Sequence, residues 1–115
     1  MEKWSFIVQS KCVDPARTAE FKEWYNNIHF PDAMATPGFV RAALYENKPI
    51  QFASDRPVEG QMQFTAVYEI ESDDVEATIK AMYEHMGKAK AAGRYSDLLV
   101  FVSRGIYKQV GFMSK

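Results

Sequence analysis

The sequence predicts an α+β domain in the order βαββαβ: one four-stranded antiparallel sheet with both helices on one face. Three observations predict it. Four short segments alternate apolar and polar residues with the period of a strand. Two segments carry apolar residues at helical spacing, one between the first and second strands and one between the third and fourth. The chain has 115 residues, 47% of them apolar and 25% charged. That suits a single domain spanning 1–115 and leaves no room for a second.

Residues 4–10 open the pattern, with Trp4, Phe6 and Val8 on one side and Ser5, Ile7 and Gln9 on the other. Asp14 is a capping residue and Pro15 suits the first helical position, where no backbone donor is needed. Phe21, Trp24, Tyr25 and Ile28 then form one helical face. Pro31 is expected to break that helix near Ile28, because it cannot donate to the helical ladder. A further short turn over 31–35 ends at Thr36-Pro37-Gly38. The second strand, 39–46, sets Val40, Ala42 and Leu44 on one face and Phe39, Arg41, Ala43 and Tyr45 on the other. Residues 47–61, with Pro49, Pro57 and Gly60, read as a long loop. In the third strand, 64–70, Phe64, Ala66, Tyr68 and Ile70 share a face. Ser72-Asp73-Asp74 caps the second helix, with Asp73 and Glu76 resembling a capping box. Its stripe is Val75, Ile79, Met82, Tyr83 and Met86, and Gly93 stops it. The fourth strand begins at 98–102. This order is the split βαβ, or ferredoxin-like, arrangement. Apolar side chains on both faces of the later strands (Phe39 with Val40, Val67 with Tyr68, Phe101 with Val102) predict a homodimer whose sheets face each other.

Composition excludes several function classes. Fourteen Lys and Arg oppose fifteen Asp and Glu, which argues against nucleic acid as a partner. One cysteine, Cys12, makes no internal disulfide and no CxxC motif, as expected in a reducing cytoplasm. No signal-peptide pattern follows Met1, and no apolar run is long enough to span a membrane. Two distant histidines and one cysteine match no metal-ligand spacing, and no nucleotide-binding glycine motif occurs, so neither a metal nor another cofactor is expected. Two Trp, six Tyr and eight Phe in so short a chain point to apolar interfaces or a pocket.

The run Trp24-Tyr25-Asn26-Asn27-Ile28-His29-Phe30-Pro31-Asp32, continuing to Pro37-Gly38-Phe39, resembles the W-Y-x-x-x-H-x-P-D…P-G-F block of EthD-like proteins in the dimeric α+β barrel superfamily. Phe64 to Ile70 and the tail from Arg104 to Gly111 resemble that family's third and last strands. Asn26 replaces a common Asp, and Leu44 a common Arg. The resemblance implies ferredoxin-like subunits, a homodimer, and a small apolar pocket between each sheet and its helices. It also implies a range of activities, among them cyclases, dehydratases, isomerases and cofactor-free monooxygenases.

His29 is the leading catalytic candidate, since an imidazole works as a proton shuttle near neutral pH. The alternative is structural, with the ring capping helix carbonyls or bonding Asp32. Asp32 either orients His29 or complements a helix dipole. Tyr25 carries a hydroxyl that needs a partner when buried, and Tyr68 either polarises a substrate carbonyl or packs at the helix–sheet seam. Trp24 is a core residue or a pocket wall. Phe21 and Phe64, on the same faces, and Tyr95, in the loop after Gly93, complete the set expected to contact a ligand. Arg41 points to the dimer seam or solvent, His85 lies off the helical stripe, and Cys12 is structural. The expected activity is proton transfer without a cofactor (isomerase, cyclase, dehydratase or lyase type) on a small aromatic, polyketide or lactone-like molecule. A non-catalytic protein binding a hydrophobic ligand, and a monooxygenase or haem-handling relative, are the alternatives.

Overall fold

A computed structural model describes residues 1–48 and 63–115, so most of the 47–61 loop lies outside the described residues. The described residues include four strands: β1 Lys3–Cys12, β2 Phe39–Glu46, β3 Phe64–Glu71 and β4 Leu99–Lys108. They form one sheet in the order β2-β3-β1-β4, and every neighbouring pair is antiparallel. The helical segments are α1 Thr18–Trp24, α2 Phe30–Met34 and α3 Val75–Ala91. The expected ferredoxin-like α+β arrangement is therefore the observed one.

Alternation explains which side of the sheet meets the helices. Phe6, Val8, Ser10 and Cys12 of β1 are buried, as are Phe64, Ala66, Tyr68 and Ile70 of β3. Helix α1 lays Phe21 and Trp24 over this face, with the Phe21 and Phe64 rings 5.2 Å apart. Such ring pairs contribute about 0.5–1.5 kcal/mol each beyond area burial. Helix α3 adds Met82, Met86 and Ala89. Asp14 caps the entry to the first helical stretch by accepting from Ala16 N at 3.1 Å, with Pro15 following as expected.

Three local expectations are corrected. Pro31 does not break the helix: the backbone stays right-handed helical from Trp24 to Phe30 through a wide turn, Tyr25–His29. There Phe30 N–H donates to Tyr25 O, five residues back. The widened turn relieves the usual clash of a proline ring with the carbonyl one turn earlier. In β2 the register shifts between Phe39 and Arg41. This bulge puts Phe39, not Val40, on the buried face with Ala42 and Leu44; Val40 is 51% exposed. Arg41 stays on the outer face but pairs with Glu69 of the adjacent strand, at 3.1 Å. The α3 cap is Asp74, which accepts from Ala77 N at 3.1 Å, so Asp73 and Glu76 form no capping box.

The outer face carries a transverse row across all four strands, Ala43, Val67, Ile7 and Gly105. A row on either side is polar or mixed: Tyr45, Thr65, Gln9 and Ser103, then Arg41, Glu69, Ser5 and Tyr107. Among the described residues no helix is long and apolar enough to cross a membrane.

Candidate functional site

The wide turn decides which side chain enters the interior. A regular helix would set Ile28 beside Phe21, Trp24 and Tyr25. The extra residue advances the phase, so Ile28 is left 36% exposed and His29 is buried. The imidazole stacks on Trp24 at 4.8 Å and meets the edges of Tyr25 and Tyr95 at 4.9 and 5.4 Å. Nδ1 of His29 has no hydrogen-bond partner among the described residues. Burial pushes its pKa down to about 4, with Asp32 opposing weakly, so the ring is neutral at physiological pH.

Asp32 is committed elsewhere. Arg94 donates to both carboxylate oxygens, from Nε at 2.7 Å and Nη2 at 3.0 Å, and holds the carboxyl below its usual pKa. Trp24 Nε1 donates to Arg94 O at 2.9 Å. Together these bonds fasten the segment after Gly93 onto α1 and α2 on either side of the wide turn, where Tyr95 meets His29. Asp32 thus acts on His29 through charge and through this clamp, not through a hydrogen bond.

A cavity of about 40 Å³ lies between the sheet and the helices, with His29 in its wall. Phe6, Val8, Phe39 and Tyr68 form its sheet side, and Ala33, Met82 and Met86 its helix side. Tyr83, Tyr95, Phe101 and Arg104 complete the lining. The volume suits a water molecule and falls below the roughly 300–1,000 Å³ of drug-sized sites. A ring-sized ligand therefore requires displacement of rim side chains. Tyr83 and Phe101, 46% and 39% exposed, stand at that rim.

Of the residues selected from sequence, His29, Tyr68 and Tyr95 come together at the cavity. Tyr68 sits among Phe6, Phe30 and Phe39, and burial raises its hydroxyl pKa well above the ordinary value. Tyr25 lies one layer deeper, fully buried, with its pKa pushed up to about 12 by burial. The Tyr68 and Ser10 hydroxyls offset part of this rise, yet Tyr25 Oη and Ser10 Oγ stop short of hydrogen-bond geometry. Trp24 backs the imidazole and, with Tyr95, faces a separate open groove of about 450 Å³. Phe21 and Phe64, at 0% and 1% exposure, belong to the core and do not line the cavity. His85 is exposed, and Cys12 is buried with Sγ donating to Asp14 O at 3.1 Å.

Sequence reasoning missed Arg104 and Phe101 as lining residues. A shift in the β1–β4 register after Gln9 explains the omission. The resulting bulge brings Phe101 and Arg104 onto the same face, where simple alternation would separate them. Helical spacing did select Met82, Tyr83 and Met86, but only as packing residues.

This architecture is the ferredoxin-like fold with a helix-covered cavity beneath the sheet. Among solved structures it is similar to a dimeric ferredoxin-like protein from an uncultured marine organism, with a TM-score of 0.67 and 11% identity over 98% of this chain and 100% of that one. It is also similar to an EthD-like protein from Ralstonia eutropha JMP134, with a TM-score of 0.64 and 18% identity over 99% and 97% of the two chains. A third similar structure is the haem-degrader MhuD from Mycobacterium tuberculosis, bearing two haems in its active site, with a TM-score of 0.62 and 19% identity over 96% and 99%. No protein-family model matches the chain. No curated protein matches it in sequence.

Proposed function

We propose that the cavity binds a small, largely aromatic molecule and that His29 moves a proton on it without a metal or nucleotide. The observation that carries this reading is a neutral, buried imidazole with an unpartnered nitrogen in the wall of a largely aromatic cavity. Such a nitrogen accepts a proton from an acidic C–H or O–H of the ligand. The electron pair then develops on ligand oxygen, where the hydroxyl of Tyr68 or Tyr95 donates a hydrogen bond. Return of the proton from His29 to another ligand atom completes an isomerisation or cyclisation. In a dehydration the proton leaves with the departing hydroxide as water.

The test pairs His29→Gln and His29→Ala with the parent protein in ligand titrations and in turnover assays on aromatic, polyketide and lactone substrates. Loss of turnover with binding retained supports proton transfer by His29. Unchanged turnover in both variants removes His29 from the chemistry. A second reading, binding without catalysis, is favoured by the depressed basicity of His29, which makes it a weak base until a ligand changes its surroundings. Saturable binding that yields no product in the parent protein would establish that alternative. An oxygenase or haem-handling activity would instead give oxygen uptake or a Soret band on haem titration.

The same reading includes a homodimer through the outer sheet face. Its support is the small apolar row Ala43, Val67, Ile7 and Gly105 crossing every strand, together with the likeness to a structure described as dimeric. The proposed setting is the cytoplasm.

A further inference from the structure

We infer that the ligand of this cavity bears a carboxylate, and that Arg104 receives it at the rim. This rests on the reading of the cavity as a ligand site and specifies the chemistry that site selects. Apart from His29, whose ring is neutral, Arg104 is the one basic side chain among the described lining residues, and none of them is acidic. Its guanidinium lies 4.5 Å from the Phe101 ring centre and 5.9 Å from that of Tyr83. Stacking on aromatic faces holds the guanidinium plane while leaving its N–H edges open for in-plane hydrogen bonds. Those edges match a carboxylate bidentately.

Asp32, the acid closest to His29, is bonded through both oxygens to Arg94. The other described arginines, Arg17, Arg41 and Arg94, each have a carboxylate partner, whereas Arg104 has none among the described residues. A cation at the entrance of an apolar cavity favours a molecule with an apolar body and an anionic end. The body would lie toward Phe6 and Tyr68 with the carboxylate outward, leaving the atoms beside the acid group within the chamber that holds His29.

The experiment titrates the full chain with benzoate and with benzamide, which have nearly the same shape and differ in charge, at pH 7.5 and 0.15 M salt. Binding is read from the NMR signals of the His29 ring. The expected result is at least tenfold tighter binding of benzoate by the parent protein. Arg104→Gln should bring the two ligands within about twofold of each other, and Arg104→Lys should retain part of the preference. Arg104 is exposed, and unchanged thermal melting of the variants would show that the fold is retained. Equal affinities in the parent protein, or a preference that survives Arg104→Gln, would overturn the inference while leaving the cavity as a neutral-ligand site. If neither probe perturbs His29, the ligand-site reading fails and the inference fails with it.

Discussion

A histidine whose pKa falls from 6.5 to about 4 on folding ties stability to pH in one direction. Between those values the unfolded chain binds more protons than the folded one, so stability is full above pH 6.5 and is lost as pH falls toward 4. A shift of this size corresponds to about 3 kcal/mol. Urea unfolding at a series of pH values should show His29→Gln reducing the loss between pH 7 and 4 by up to that amount. Asp32, with its pKa lowered by Arg94, adds a further loss below the ordinary carboxylate range in both proteins. His29 was selected as a candidate from the motif around Pro31, but the helical phase that buries it was not legible. Helical spacing favours Ile28 at the inner position, and only the extra residue in the turn exchanges the two. Arg104 was illegible for a related reason, because an inserted residue in β4 leaves no compositional trace.

The joints between elements carry the clearest stability predictions. Gly38, just before β2, has φ +95°, and a Cβ added there would lie 3.2 Å from Glu71 O and 3.3 Å from Thr78 Cγ2. Gly93 has φ +78° with open space around it. Gly38→Ala should therefore cost about 1–3 kcal/mol, and Gly93→Ala should fall near the lower end of that range. Chemical denaturation of both variants checks the order. Asp74→Ala removes the α3 cap and should cost about 1 kcal/mol in the same measurement. The glycine stops and the strand alternation were readable because their physics is local. The continuous passage through Pro31 was not, since it depends on Trp24, Tyr25 and Phe30 all finding places against the sheet. The β2 bulge is similar: its register is set by Ile70 and Glu69 on the neighbouring strand, which no local pattern reveals.

The element order was legible at the scale of the whole molecule, and with it the ferredoxin-like fold. The proposed association rests on the outer face. Ile7 and Val67 sit at the middle of its apolar row, on the two central strands. Val67→Glu would place two like charges close together in a facing-sheet pair, and Ile7→Glu would do the same. Sedimentation at micromolar concentration should show a dimer for the parent chain and a monomer for either variant, with little change in far-UV circular dichroism. A parent chain that sediments as a monomer would refute the facing-sheet arrangement. The cavity lies on the opposite side of the sheet from this row. In a facing-sheet pair the two cavities would thus be turned away from each other, at the outer flanks of the assembly. Each chamber would fill and empty without the partners separating, giving one ligand per chain, a Hill coefficient of about one, and affinity independent of protein concentration.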